Sequence, residues 1–468
     1  MSASKEGVYE AGIVDPGVPV MDSTQSFWTS SPHPLSQHKS PWPQAVSDIA
    51  IIGSGISGTS LAYHLLADNP ALNITLVEAR SLCSGATARN GGHIKTMSFA
   101  VWEHHKQAFG VEEAIRIAAF EQSHLESMTA VIKENSLDCD LVGTQGIDAY
   151  YDQKTFDRAV AALEDMRKHA PNLAAKYTVL DDRHALQRDL NLSPRCVGVI
   201  SVPAASVWPY KMVTGLLASM IESGRLNVQT DTIVEAIREE PGEDFATIST
   251  SRGSIKAKQV VHATNGWMGH LIPELRPFIS PVRGNVVRYG PVATAEVSGS
   301  PHDTSPLRLN SNYSYWLRYA EKDYDYLIQR KGGDIVVGRA NTGRKATGDD
   351  SQTDLPPMAH LYGFGSHVVS SAVPDPSAII THAWSGILGF TQDSMPFVGS
   401  LRRFPGRQRQ WACGGYHGIG MVKAWRSGEL MAGMLLGKEI GEECPRSMLI
   451  SDVRMDALEE SLGVKAKL

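Results

Sequence analysis

An α/β fold of two lobes is what this sequence predicts, on three observations. Near the start, DIAIIGSG, ISGTSLAYHLLADNP and NITLVEA give an apolar strand, a glycine-rich turn, a helix and a second strand, which together make one βαβ unit. From about 101 to 195 the pattern turns helical, with periodic apolar positions in EEAIRIAAFEQSHLESMTAVIKE and KTFDRAVAALEDMRKHA. Strand-like alternation then returns in YDYLIQRK and DIVVGR, joined by Lys331-Gly332-Gly333-Asp334 as a hairpin turn. A Rossmann-like lobe, and a second lobe on a mixed or antiparallel sheet with helices, accommodate all three.

Taken in order, residues 1–45 contain SSPHPLSQHKSPWP, whose closely spaced Pro and Ser discourage regular structure, so an extended arm lying across the surface is expected. The βαβ unit follows, its helix stopped at Asn69-Pro70. After the helical stretch, PYKMVTGLLASMIESG reads as a further amphipathic helix, and NVQTDTIVEAI, FATISTS and QVVHATNG as short strands. VKAWRSGELMAGMLLG is expected to be the last helix. The expected division gives 46–100, 206–285 and 376–445 to the dinucleotide lobe, 101–205 and 286–375 to a substrate lobe, and 446–468 to a C-terminal tail.

Composition narrows the function. Lys and Arg total 44 against 50 acidic residues, with no run of like charge able to track a phosphate backbone, so nucleic acid is not an expected partner. No stretch of about 18 uncharged apolar residues occurs, and MSASKEGVYEAG has neither a basic start nor an apolar core, so no membrane association and an intracellular site are expected. Five widely spaced cysteines without a CxxC pair argue against a disulfide framework and a zinc site. Ala466-Lys467-Leu468 resembles the Ser-Lys-Leu peroxisomal address, which predicts peroxisomal localisation and an import receptor as partner.

Gly53-Ser54-Gly55-Ile56-Ser57-Gly58 has the GxGxxG spacing directly between strand and helix. The first glycine permits the tight turn, the second lets the backbone approach a pyrophosphate, and the third lets the helix pack close to the sheet. The helix N-terminus then faces the anion with N–H groups and a positive dipole end. Glu78, followed by Ala79 and Arg80, closes the second strand where a carboxylate takes ribose hydroxyls and repels a 2′-phosphate. FAD or NAD is thereby favoured over NADP. The chain has one such motif, which suggests that electrons come from the substrate itself.

Ser84-Gly85-Ala86-Thr87-Ala88-Arg89-Asn90-Gly91-Gly92-His93 resembles the GATxRNGG stretch of the D-amino-acid oxidase-like (DAO) family of FAD-dependent oxidoreductases. Ala263-Thr264-Asn265-Gly266, with Trp267 next, is similar to its A-T-x-G turn, Val234 stands where the family places an adenine contact, and Pro281-Val282-Arg283-Gly284 matches its PVRG linker. Trp384-Ser385-Gly386 with Asp393, Pro396 and Gly399, then Gly415-Tyr416-His417-Gly418-Ile419-Gly420-Met421, resembles its C-terminal flavin-binding pattern. The nearest branch is γ-glutamylputrescine oxidoreductase-like, fungal members included. The resemblance implies a GR2-type FAD-binding domain and oxidation of a small primary or secondary amine by hydride transfer to flavin N5, with O2 as acceptor. It also implies backbone amides around Gly418, Gly420 and Met421 placed to meet negative charge on the flavin.

Departures from the family bear on the substrate. The arginine with which glycine and D-amino-acid oxidases clamp a carboxylate falls at Leu388 here, so recognition centred on an α-carboxylate is not expected. Arg330, in YLIQRKGGD, resembles an arginine that some D-amino-acid oxidases use for that purpose, and a solvated strand end is its other reading. His417 replaces the histidine of the usual Gly-His-Gly and lines the flavin or substrate, or is structural; His93 could contact the isoalloxazine. Tyr326 and Trp384 are the candidate aromatic walls, or else core residues. No cysteine stands in the segment that sarcosine oxidases use for a covalent link, so non-covalent FAD is expected. Amino-acid oxidase, secondary-metabolite tailoring oxidase, flavin monooxygenase and a non-catalytic flavoprotein remain as alternatives.

Overall fold

In the computed structural model, which describes residues 15–290, 313–320, 323–340, 346–363, 368 and 380–463, the strand Ser47–Ile52 is buried at every position but Asp48. A strand covered on both faces reads as a continuous apolar run, as this one does. It pairs in parallel with Gly253–His262 and Ile74–Val77, and the parallel sheet extends to Gln410–Gly414 and Leu226–Gln229. Phe397–Ser400 and the hairpin Val234–Glu239/Ala246–Thr250 complete eight strands among the described residues. The helix Ile56–Asp68 ends with Asn69 as its C-cap, as Asn69-Pro70 predicts. It lies tightly against the helix Ala424–Leu435: a Cβ on Gly428 would sit 2.8 Å from the Ser57 carbonyl oxygen.

Among the described residues the second sheet has nine strands, in the order Ile380–Thr391, Ile279–Tyr289, Ile335–Ala340, Asp323–Gln329, Tyr313–Ala320, Val142–Tyr150, Gly198–Ser206 and His93–Ile94, with Thr178–Leu180 beside Gly198–Ser206. All pairs are antiparallel except Tyr313–Ala320 with Val142–Tyr150. The turn 331–334 joins two of its strands, with Arg330 N–H bonded to the Asp334 carbonyl at 2.8 Å. The expected helices are Val111–Glu134, Gln153–His169 and Pro209–Glu222.

Four expectations need correction. The segment 101–195 is not purely helical, because Val142–Tyr150 pairs along its length in the second sheet. The strands Ile279–Tyr289 and Ile380–Thr391, assigned largely to the dinucleotide lobe, form a ladder in the second sheet from Ile279↔Thr391 to Tyr289↔Ile380, with one register shift between Arg288 and Tyr289. The N-terminal segment does not merely cross the surface: Phe27 and Trp28 are buried, and the Trp28 indole N–H bonds the Asn90 carbonyl at 2.7 Å. In the expected tail, the helix Asp452–Ser461 buries Met455 and Leu458, and Arg454 pairs with Asp393 at 2.8 Å. Ala466-Lys467-Leu468 lies outside the described residues.

Candidate functional site

The turn after the first strand is built so that only glycine fits it. Gly53 has φ +108, and a Cβ there would meet the Ala263 carbonyl oxygen at 2.7 Å; one on Gly58 would meet the Gly53 carbonyl oxygen at 2.0 Å. A Cβ on Gly55 would reach Thr87 Oγ1 at 3.2 Å, and that oxygen accepts the Ile56 N–H at the helix start. Glu78 is held at the end of the second strand, where Oε2 accepts from the Ser54 N–H at 3.0 Å and the Ser54 hydroxyl at 2.6 Å, and Oε1 from the Arg80 N–H. The cradle therefore has the close-approach backbone and the oriented carboxylate that a dinucleotide requires.

A cleft of about 1480 Å³ opens from this turn to the second sheet. The predicted cofactor residues line it, except for Ser54, Gly58, Gly92 and Gly266. Those four support the wall from behind. Ser54 orients Glu78, Gly58 packs on Gly53, Gly92 admits the Trp28 ring, and a Cβ on Gly266 would strike Ile387 and Leu388. Arg80 and Arg89 reach the wall, yet both engage buried Asp350, at 2.9 and 3.4 Å. Burial, partly offset by Asp350, pushes Arg89 down to about 10.

The four candidate catalytic residues separate. Tyr326 lines the cleft, edge-on to His93 at 5.4 Å between centroids. Gly338 makes room for it, since a Cβ there would lie 2.1 Å from the ring. His417 also lines the cleft, at φ +51, with Nδ1 accepting the Thr391 N–H at 3.2 Å and Nε2 3.4 Å from the Ser394 hydroxyl. Trp384 is a correction: fully buried, it spends its indole N–H on the Arg89 carbonyl at 3.0 Å and does not border the cleft. So is Arg330, which pairs with Asp140 and Asp334 against the rings of Phe27 and Trp208, outside the cleft. Leu388 lines the cleft, where an apolar side chain cannot clamp a carboxylate.

Sequence reasoning missed the cations of the substrate wall. Lys95 is buried, with Nζ 3.9 Å from the Trp316 ring centroid and bonded to the Ser314 carbonyl at 3.2 Å. Its stem occupies the space left by Gly146, where a Cβ would come within 2.3 Å. Arg318 is likewise buried, its Nε 2.6 Å from Asp148 Oδ1, while the Tyr150 hydroxyl donates to Asp148 Oδ2. Arg318 lies 4.8 Å from the Tyr324 ring centroid and 5.6 Å from that of Trp316. Burial holds Lys95 well below its ordinary range; Asp148 opposes the shift and Arg318 adds to it. Burial, then Lys95, keeps His93 neutral. The available signal for Arg318 was a single cation inside the otherwise apolar run YWLRYA, whereas Lys95 stands beside the polar His93 and Thr96 in HIKTM and gave no such signal.

A further buried cation, Lys423, borders the cleft, 3.7 Å from buried Glu121 and bonded to the Ser394 carbonyl. Burial raises Glu121 above the usual carboxylate range, with Lys423 as the main counterweight.

The family model described as FAD dependent oxidoreductase (DAO) matches residues 48–434. A Rhizobium meliloti (strain 1021) protein named "Probable oxidoreductase OrdL" is 26% identical over 398 residues, 84% of this chain and 83% of its own length. The γ-glutamylputrescine oxidoreductase of Escherichia coli (strain K12) is 21% identical over 423 residues, covering 89% of this chain and 90% of its own. Among solved structures, glycine oxidase from Geobacillus kaustophilus superposes with a TM-score of 0.66 at 18% identity, over 87% of this chain and 98% of its own.

Proposed function

Since the chain belongs to the DAO family of FAD-dependent oxidoreductases, we propose that it oxidises a carbon–nitrogen bond of a small amine or amino acid, with dioxygen as the acceptor. The observation that carries this reading is a single cleft that joins the glycine cradle at Gly53 to an aromatic wall of Tyr326, Trp316 and His93. FAD supplies, when bound, an acceptor for hydride. The Gly53–Gly58 turn and the helix it opens would hold the pyrophosphate, Glu78 the ribose and Val234 the adenine. Gly418–Met421 would stand at the flavin end.

The chain's own residues set the state of the amine. Burial in the cleft beside the cations Lys95 and Arg318 disfavours a charged ammonium by desolvation and like charge, so a bound amine is favoured in its neutral form and presents a lone pair. His93 is itself kept neutral there by burial and by Lys95. The two relatives named for γ-glutamylputrescine and glycine chemistry fit an amine or amino-acid substrate. Mixing the FAD-loaded protein anaerobically with a panel of amines and amino acids tests the proposal. At least one member should bleach the flavin, and air should restore the colour. Bleaching by NADPH alone, with none by any amine, would point to a monooxygenase instead.

A further inference from the structure

We infer that the segment 15–20 is part of the cofactor site: it bridges the adenine end of the cleft and retains FAD there. This role rests on the FAD cradle and is independent of which bond the flavin oxidises.

The segment is fastened on two opposite rims. At one end the Asp15 carboxylate meets His270 Nδ1 and Arg276 Nη2, both at 2.8 Å. Arg276 Nε also bonds the Gly269 carbonyl at 3.1 Å, so this anchor belongs to the turn and short helix that follow the strand Gly253–His262. At the other end the Val20 carbonyl accepts from Arg80 Nη1 at 3.0 Å, just beyond the strand Ile74–Val77. Those two strands flank Ser47–Ile52 on either side. The segment therefore crosses the carboxyl ends of three neighbouring strands, the place where an open α/β sheet binds its ligand.

Its middle faces the cleft. Gly17, Val18 and Pro19 border the same cavity as Glu78 and Val234, the residues given above to ribose and adenine. Val18 borders that cavity yet remains 38% exposed, so the bridge is held chiefly by its anchors. A stiff path suits the task. Pro16 and Pro19 have fixed φ, and Gly17 at φ +66 takes the left-handed turn, its N–H closed onto Asp15 Oδ1 at 2.8 Å. Residues restrained in this way lose little freedom when they are fastened down. Behind them the bridge rests on Gly348, where a Cβ would lie 2.0 Å from the Pro16 carbonyl oxygen. The Gly348 carbonyl in turn accepts from the Trp267 indole at 3.1 Å, in the wall of the cleft. FAD lying along the strand ends is enclosed by this bridge and leaves only when it lifts.

The test dilutes the FAD-loaded full-length protein and follows the release of FAD as a rise in flavin fluorescence. Asp15→Ala should speed release about fivefold or more, and Asp15→Glu should return it to within about twofold of the parent. Gly348→Ala, which displaces the bridge without altering its own residues, should speed release more than tenfold. The visible flavin spectrum reports the isoalloxazine end and should stay as in the parent. Raising NaCl from about 0.05 to about 0.5 M should speed release in the parent and leave Asp15→Ala unmoved, because exposed ion pairs are screened. The Asp15 side chain is 43% exposed, so Asp15→Ala keeps the test valid if Gly348→Ala fails to fold. Release as slow in Asp15→Ala as in the parent overturns the inference, and so does an equal salt response in the two proteins. Faster release with a shifted spectrum overturns it as well, since that marks a general loosening of the site. Release that follows the bridge while no amine bleaches the flavin sinks amine oxidation and leaves the bridge standing.

Discussion

Arg318 lies on Tyr313–Ala320 and borders the cleft, whereas Arg330 follows the paired strand Asp323–Gln329 and lies outside it. Arg330 is tied to Asp140 and Asp334 and stacked against Phe27 and Trp208. Arg330→Met should therefore lower stability by about 1–2 kcal/mol, from lost pairing and cation–π contact, and leave kcat/KM within about twofold. Denaturant unfolding and steady-state assays check both halves, and a large rise in KM would return Arg330 to the substrate site. Gly55→Val should abolish flavin loading, since even a Cβ stands 3.2 Å from Thr87 Oγ1 and the branches would occupy the pyrophosphate approach. Absorbance after gel filtration reads this, and normal FAD content in the variant would overturn the cradle assignment. The cradle was legible because each glycine answers a local demand of turn or contact. Lys95 and Arg318 were not, because they come together only when His93–Ile94, Gly198–Ser206, Val142–Tyr150 and Tyr313–Ala320 align across the sheet.

At the scale of elements, strongly periodic helices were readable and weakly patterned strands were not. Val142–Tyr150 reads VGTQGIDAY, with two glycines and no steady alternation, and it becomes a strand because neighbours on both edges pair with it. The N-terminal segment misled for a related reason: Pro and Ser exclude regular structure without excluding burial, and Trp28 fills the space over Gly92. Trp28→Ala should cost about 3–5 kcal/mol, as truncation of a large buried aromatic does. It should also weaken FAD retention, because the indole N–H that bonds Asn90 fixes the loop lining the cleft. Thermal unfolding with and without added FAD separates the two effects. A variant with normal FAD affinity would show that the segment serves stability alone.

For the whole molecule, acid sensitivity follows from histidines that fold neutral. Burial pushes His124 down to about 3 and His262 to about 4, against an ordinary value of 6.5. The His124 ring is fixed between the Phe120 carbonyl and the Arg426 N–H, so its Nε2 accepts and cannot also carry a proton. Because these values are depressed, the unfolded chain binds more protons. The stabilisation is complete above pH 6.5 and is lost as pH falls toward 4 and then 3. Each histidine contributes a slope of about 1.4 kcal/mol per pH unit in that window. Unfolding at pH 7.5 and pH 5 should differ by roughly 2 kcal/mol per histidine, and His124→Gln should flatten the dependence even if it lowers the plateau. A pH-independent stability across that range would contradict the neutral assignments. Fold class was legible from the βαβ unit and the hairpin, but the border between lobes was not, since one ladder, Ile279–Tyr289 with Ile380–Thr391, closes over a separation that no local pattern encodes.

The seat of the N-terminal segment also sets an order of assembly. Thr24 bonds the backbone of Asp350 and of Ser385, and the Trp384 indole bonds the Arg89 carbonyl, so the first described residues and the glycine loop are secured by residues 295 to 361 positions further along the chain. Contacts of such long sequence separation form late, after loop-closure entropy has been met. A growing chain that has not yet reached Trp384 and Ser385 would carry the whole glycine cradle with these contacts still missing, so the loop is secured only after that strand is made.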